Sequence, residues 1–272
     1  MAVALAAGAI LPLSLLFGDG FTRMGRVSSF LEWIWITAVL THLLPGSGAY
    51  WPGTGSKQAV PLVLLAMAAL SGEKERSGRI CCALFWMAAA MLAAISLAAV
   101  GKVETQWLAP EPGEWNAGLI ITLLLPALTG ALLPETKGKT GVTIAVGALA
   151  IGFAALLQGT LSTPVARSLT GPVYELGRSI GNGGFEILVS VAMTLGWYTL
   201  CAMLLQVAAV FAGQWGLKEG GARILASASS AVMLLFGLRI DGRILTGTSL
   251  VMWILMPMLF QKNKSKKGEK SA

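Results

Sequence analysis

Charged residues are scarce in this chain of 272 residues: Asp, Glu, Lys and Arg together make up 12% of it. An average soluble domain carries roughly 25%. Hydrophobic residues reach 55%. A soluble protein of this size could not cover its surface with so few charges, so the composition indicates an integral membrane protein.

Cysteine and histidine are also rare. Cys81, Cys82 and Cys201 all fall inside apolar runs and form no CxxC pair, so we expect neither disulfides nor metal ligands. The single histidine, His42, cannot supply a metal site or a catalytic triad and is expected to be structural. There is no HExxH, GxSxG or Walker loop, and no carboxylate pair at midplane depth. We therefore expect no enzyme activity, no cofactor and no metal.

Long apolar stretches recur along nearly the whole chain, separated by short charged connections. They are continuous and do not alternate, which excludes a transmembrane barrel and favours α-helices of roughly 20 residues. The predicted fold is an all-α, polytopic bundle, with residues 1–260 as one transmembrane domain and 261–272 as a basic cytoplasmic tail. The nine predicted helices lie near 2–17, 28–44, 59–72, 79–100, 117–133, 141–163, 186–213, 222–236 and 243–260.

The basic residues predict the orientation of these helices. Alternate connections, together with the tail, carry 14 of the 20 Lys and Arg residues, and the other side carries 6. The side richer in Lys and Arg is normally cytoplasmic. The sequence thus predicts a multi-pass protein of the inner membrane, with the N-terminus outside and the C-terminus inside. The basic residues flank helices and form no folded patch, which argues against nucleic-acid binding.

Two stretches depart from simple spanning helices. Residues 45–58 are rich in Pro and Gly and are interpreted as an extracellular loop. Residues 159–185 are too polar to span, but Pro172 and the glycines after Ile180 bound a short helix. We interpret it as amphipathic and lying at the outer surface. An ordinary extracellular loop is the alternative.

A break in one predicted helix provides a candidate ligand site. Pro126 removes a helix hydrogen bond and Gly130 loosens the backbone one turn later, beside Thr122 and Thr129. Broken helices with polar groups near the midplane form substrate sites in transporters. These four residues are therefore candidate ligand contacts. The alternative is a kinked helix whose threonines bond to their own backbone.

Few charged residues lie within the predicted helices. Glu32 and Glu186 each lie near a helix start, where the helix dipole favours a carboxylate and water is within reach. Gating or proton coupling is the alternative role.

The order of these features resembles a known family, and three stretches carry the resemblance. A helix led by Pro61 runs into Glu75-Arg-Ser-Gly-Arg79, similar to the family's E-x-x-x-R before its fifth helix. Thr129-Gly-Ala-Leu-Leu-Pro134, followed by two lysines, looks like its broken sixth helix. Pro172 to Ile180, followed by Phe185-Glu186 and Trp197, is similar to its outer helix and the start of its eighth helix. On these motifs the chain resembles the permease-like B subunits of bacterial spore germinant receptors, in the amino acid–polyamine–organocation superfamily.

The resemblance implies an inverted-repeat, transporter-like fold. The family has ten spans with both termini inside, so the chain would lack the first, discontinuous helix and keep nine. Two further departures concern side chains: apolar residues replace the acidic residue of the sixth-helix motif, and Ile187 stands where the family has Arg. The implied structural or gating residues are Glu75, Arg79, Arg178 and Glu186.

Three hypotheses follow for function. The first is a nutrient-sensing subunit in spore germination that binds an amino acid or similar small molecule, with other membrane or lipoprotein receptor subunits as partners. The second is a secondary transporter for amino acids or amines that uses the same site. The third is a membrane scaffold that transports nothing and only packs against partner subunits.

Overall fold

The computed structural model describes residues 25–51, 56–72, 74–108, 152–153, 155–162, 165, 172–180, 184–238, 240–256 and 259. This part of the chain is helical throughout and contains no strand. Its helices are α1 Arg26–Leu43, α2 Ser56–Ala69, α3 Lys74–Val100, α4 Pro172–Ile180, α5 Phe185–Gly213, α6 Glu219–Leu235 and α7 Gly242–Leu250. Two 3₁₀ turns occupy Leu44–Tyr50 and Thr105–Leu108, and one turn of π-helix continues α7 over Val251–Leu255.

Three of these helical segments are long and apolar enough to cross a membrane: Arg26–Tyr50, Glu75–Val100 and Phe185–Gly213. The longest has 29 residues, which is about 43 Å of helix against a hydrocarbon core of about 30 Å. The prediction of an all-helical, membrane-associated protein is confirmed to this extent. The predicted helices near 2–17 and 117–133, and most of the one at 141–163, lie outside the described residues.

Helix α5 forms the centre of the bundle. It is apolar around its whole circumference, and such a helix needs apolar surroundings, either other helices or lipid. It packs against α1, α2, α3, α4 and α6 and against the first 3₁₀ turn. Large side chains such as Leu204, Leu205 and Phe211 have no exposed surface. The main core of the protein therefore lies around α5.

Hydrogen bonds show which helix ends lie together. The Trp215 indole donates to the Arg26 carbonyl at 3.2 Å, so the end of α5 meets the start of α1. Contacts of Ser230 with the Thr37 carbonyl and of Thr41 with Met233 show that α6 runs parallel to α1. The end that holds the start of α1 is called the basic end here, because it carries Arg26, Arg76, Arg79, Lys218 and Arg223.

The opposite end holds α4 and the end of α3. Lys102 Nζ donates to the Ser179 carbonyl there. Gly177 of α4 meets α5 so closely that a Cβ on it would lie 2.7 Å from Val189 and 3.1 Å from the Phe185 carbonyl oxygen. The predicted short helix over 172–180 is confirmed, and it is docked on α5 through Val173 and Leu176.

The predicted loop over 45–58 is wrong at both ends. Residues 44–50 continue α1 as a 3₁₀ turn, and α2 already begins at Ser56, so Pro61 lies inside α2 and not at its start. The turn over residues 44–50 packs closely against the Trp197 ring, since a Cβ on Gly46 would lie 3.2 Å from that ring. The Ser190 hydroxyl also donates to the Tyr50 carbonyl at 2.8 Å. Glycine here permits close packing of the turn, and the loop interpretation missed this.

Helices α3 and α6 turn apolar side chains outward. The inward face of α6 is small or polar and comprises Ala222, Arg223, Ala226, Ser227 and Ser230. Its outward face carries the exposed residues Ile224, Leu225, Val232 and Leu235. On α3 the exposed large residues are Ile80, Phe85, Trp86, Met87, Leu97 and Val100. A soluble protein places its polar residues outward and its apolar residues inward. The outward faces of α3 and α6 are apolar, so they are suited to contact with lipid.

The outward face of α3 gives a test of the surrounding medium. Met87 is 51% exposed near the middle of α3. Met87→Arg should lower the membrane-inserted, folded yield, because a cation at the bilayer centre costs on the order of 3 kcal/mol. Ile80→Arg, near the helix start, is the control and should be tolerated because its side chain can reach the headgroups. Equal yields of the two variants in carbonate-washed membranes would contradict a lipid-facing α3.

Docking of α4 gives a second test. Gly177→Ala should lower the stability of the folded protein by about 1–3 kcal/mol through overpacking against α5. Gly196→Ala, on α5 with nothing within 4 Å of its Cβ, is the matched control and should be neutral or slightly stabilising. Thermal unfolding in detergent, followed by tryptophan fluorescence, measures both. An unchanged midpoint for Gly177→Ala would show that α4 is not docked as described.

Candidate functional site

The four predicted ligand contacts, Thr122, Pro126, Thr129 and Gly130, lie outside the described residues. Their role stays a prediction. The site described below is built from other side chains.

Glu75 and Arg79 lie in the first turns of α3, at the basic end, and both are exposed. They are spaced as helical neighbours, but no ion pair within 4.0 Å joins these two described side chains. Arg178 faces Glu175 on α4 at 3.9 Å. An exposed pair of this kind contributes little to stability. Glu186 is half-buried in the first turn of α5, where the helix dipole favours a carboxylate.

A set of buried polar side chains lies within two to three turns of the basic end. It is called the inner polar layer here and comprises Ser29, Glu32, Gln206, Arg223, Ser227, Ser249 and Trp253. Four helices and the π-turn contribute to it. Buried ionisable groups in a membrane bundle are costly and are normally functional.

Glu32 is the most unusual member of the layer. Its side chain has 0% exposure, and neither carboxyl oxygen has a hydrogen-bond partner. The prediction that Glu32 reaches water at a helix start is wrong. Because α1 begins at Arg26, Glu32 is in its second turn, about 9 Å from the helix start, and it faces the interior.

The Trp253 indole N–H lies close to the Glu32 carboxyl group. The two groups do not reach full hydrogen-bond geometry, and the Trp253 indole N–H has no other partner. Trp253 is itself 0% exposed and lies in the π-turn. One turn further along, the Trp35 indole donates to the Ser249 hydroxyl at 2.9 Å. Glu32 and Trp35 thus share the face of α1 that meets α7 and the π-turn.

A second group of the layer joins α5 to α6. The Gln206 amide N–H donates to the Glu219 carboxylate. Its carbonyl oxygen accepts from Arg223 at 3.5 Å. Arg223 is only 6% exposed, and its Nε has no partner. Ser227, one turn on, donates to the Leu65 carbonyl at 3.2 Å, so the group also reaches α2.

The two groups lie at similar depth but on different faces. Thr37 and Thr41 form the face of α1 that meets α6, whereas Glu32 and Trp35 lie on the face toward α7. Positions 32 and 37 are about 140° apart around a helix of 3.6 residues per turn. Glu32 and Arg223 therefore do not form an ion pair. One group presents a carboxyl and the other a guanidinium.

The arrangement can hold protons or charged ligands, but it does not resemble a metal centre. Within the described ranges no three residues of the His, Cys, Asp or Glu type come close enough to hold an ion. The cysteines are free thiols: Cys201 is buried, Cys81 half-buried and Cys82 exposed.

Sequence reasoning missed most of the inner polar layer. Arg223 lies at the border of a charged connection, and Gln206 lies inside an apolar run. A signal was present: Arg223, Ser227 and Ser230 follow at intervals of four and three, which is one face of a helix. The sequence around Trp253 gives no such signal, because Glu32, the carboxyl beside it, lies on a distant part of the chain.

No protein-family model, no curated protein and no solved structure matches the chain. The class of protein that the described residues define is an all-helical protein with three helices able to cross a membrane.

The link between Gln206 and Arg223 gives a test of the layer. Gln206→Leu should destabilise the protein by about 1–3 kcal/mol, because Arg223 then stays buried without its hydrogen bond. The double variant Gln206→Leu with Arg223→Met should recover most of that loss, since replacing both partners by apolar groups is nearly neutral. Thermal unfolding in detergent measures the stability of each single variant and of the double variant. Additive losses in the double variant would show that the two side chains do not interact.

Proposed function

We propose that this chain is a permease-like protein of the inner membrane that binds an amino acid or a similar small molecule and serves as a nutrient-sensing subunit in spore germination. The observation that supports the proposal most is the inner polar layer. A carboxyl and a guanidinium are kept inside an apolar bundle at a cost of several kcal/mol. A scaffold that only packs against partners does not require such groups.

The proposed architecture is a bundle of nine spans with an inverted repeat, the N-terminus outside and the C-terminus in the cytoplasm. Support comes from the way the described helices alternate. The start of α1, the α2–α3 turn and the α5–α6 turn lie at the basic end. Because Lys and Arg favour the cytoplasmic side, the basic end would face the cytoplasm.

The proposed ligand contacts are Thr122, Pro126, Thr129 and Gly130. Support comes from their sequence alone, since a helix broken by Pro and Gly frees backbone groups for a ligand. Binding would favour one of two arrangements of the bundle and pass the change to receptor partners. Those partners would be other membrane or lipoprotein subunits.

Secondary transport of amino acids or amines is the second candidate. It is favoured by the sealed carboxyl of Glu32, because proton-coupled transporters use buried carboxyls as proton carriers. Uptake of labelled amino acids into proteoliposomes separates the two candidates. Flux driven by a proton gradient would support the transporter, and saturable binding without flux would support the sensor.

Ligand binding is tested on the whole chain in lipid nanodiscs. At least one amino acid should raise the unfolding temperature, by the equivalent of about 2.7 kcal/mol at a hundredfold excess over Kd. Thr129→Val should lower the affinity for that amino acid by about threefold to tenfold, because it removes one hydrogen bond.

Thr248→Val is the matched control. The Thr248 hydroxyl bonds only to carbonyls of its own helix, those of Ile244 and Leu245, so the ligand response should be unchanged. If no amino acid shifts the unfolding temperature, the proposed ligand class is wrong. If both threonine variants lose the response equally, Thr129 is not a ligand contact.

A further inference from the structure

Helix α1 packs against the C-terminal helical segment at the level of Glu32. The Trp35 indole donates to the Ser249 hydroxyl, and the Trp253 indole lies beside the Glu32 carboxyl. Glu32, Ser249 and Trp253 are each 0% exposed. The carboxyl group is thus buried where α1 meets α7 and the π-turn.

A sealed carboxyl without a partner is stable only in its neutral form. An ionised carboxylate in an apolar interior needs a cation or several hydrogen-bond donors, and otherwise costs several kcal/mol. Glu32 has no bonded donor, so binding a proton would remove this cost.

No neighbouring charge in the described residues offsets the cost of an ionised Glu32 carboxylate. Helix α1 packs against the first 3₁₀ turn, α5, α6 and α7. The ionisable side chains on α1 and on these elements are Arg26, His42, Tyr50, Glu186, Tyr198, Cys201, Glu219, Arg223 and Arg243. None of them is hydrogen bonded or ion paired to the Glu32 carboxyl. Arg223, the buried cation, bonds to Gln206 on a different face of the bundle.

The backbone opposite Glu32 is irregular. The π-turn over Val251–Leu255 carries Trp253, and it interrupts the α-helical hydrogen bonding of α7 at that level. Single π-turns are uncommon and are frequent at functional sites. The segment packed opposite Glu32 therefore contains a discontinuity in its helical hydrogen bonding.

We propose that Glu32 is a proton-binding site whose ionisation is coupled to separation of α7 and the π-turn from α1. The closed arrangement holds Glu32 as the acid. In the separated arrangement water reaches the group, the O–H bond breaks, and the proton passes to water while the carboxylate keeps the electron pair. This proposal is independent of the proposed ligand and of spore germination.

The sign of the pH dependence follows from proton binding. The closed arrangement holds one proton more than the separated one. Raising the pH therefore favours separation, by up to about tenfold per pH unit while the proton is being released. Glu32→Gln keeps the neutral shape and removes the proton, so it should stay closed at every pH.

The test is alkylation of a buried reporter thiol. Thr246 is 0% exposed on α7, and its hydroxyl bonds only to the Gly242 carbonyl of the same helix. Thr246→Cys is made in a background with Cys81, Cys82 and Cys201 replaced by Ala, with Glu32 or with Glu32→Gln. The alkylation rate with a water-soluble maleimide is compared at each pH in proteoliposomes.

Comparing the same thiol in the two backgrounds cancels its intrinsic reactivity. The ratio of the rates, Glu32 over Glu32→Gln, should be near one at low pH and rise by up to about tenfold per pH unit. Arg243→Cys, at the exposed start of α7, is the control and should give a ratio near one throughout. A ratio for Thr246→Cys that does not change with pH would overturn the coupling.

A second measurement needs no cysteine variant. Infrared spectra of the reconstituted protein at neutral pH should show a carboxylic acid carbonyl band that Glu32→Gln removes. Glu219→Gln, at an exposed carboxylate, is the control and should leave the band unchanged. Absence of the band from the unsubstituted protein would show that Glu32 is ionised and would overturn the proposal.

Discussion

Burial of the large side chains of helix α5 is the constraint on which the rest of the described structure depends. A helix of 29 residues that is apolar on every side needs apolar surroundings, either other helices or lipid. Five helices and a 3₁₀ turn pack against it. Their inward faces are therefore small or closely fitted, as at Gly46 against Trp197 and at Gly177 against Val189. Their outward faces on α3 and α6 are apolar, which suits lipid and would be unstable in water.

The same enclosure gives the inner polar layer its significance. A carboxyl or guanidinium inside such a bundle is not solvated by water, and each must be neutral or hydrogen bonded. Arg223 bonds to Gln206, whereas Glu32 lies against Trp253 without a full hydrogen bond. The two groups occupy different faces near the basic end. A protein that needed only to span a bilayer could have apolar residues at both positions at no loss of stability.

Helix positions were predicted well because they depend on local properties. Runs of apolar residues, together with Pro172 at the start of the short helix and the glycines after Ile180, mark boundaries within a few residues of those observed for α1, α4 and α5. The 45–58 stretch was misjudged because its Pro and Gly content indicates a loop, whereas tight packing against Trp197 uses the glycine for another purpose. The role of Glu32 was misjudged for a related reason. Proximity to a helix start suggested contact with water, and the packing of the neighbouring helices removes that contact.

By itself the sequence determined the helical class and the approximate limits of the helices, and it indicated association with a membrane, since hydropathy and helix boundaries are properties of neighbouring residues. Tertiary structure alone decided which polar side chains lose contact with water. Glu32 and Trp253 are separated by more than 200 residues in the chain, and no pattern in either segment predicts that they meet. Their contact is set by the packing of α7 and the π-turn against α1, and the burial of both side chains accompanies that packing.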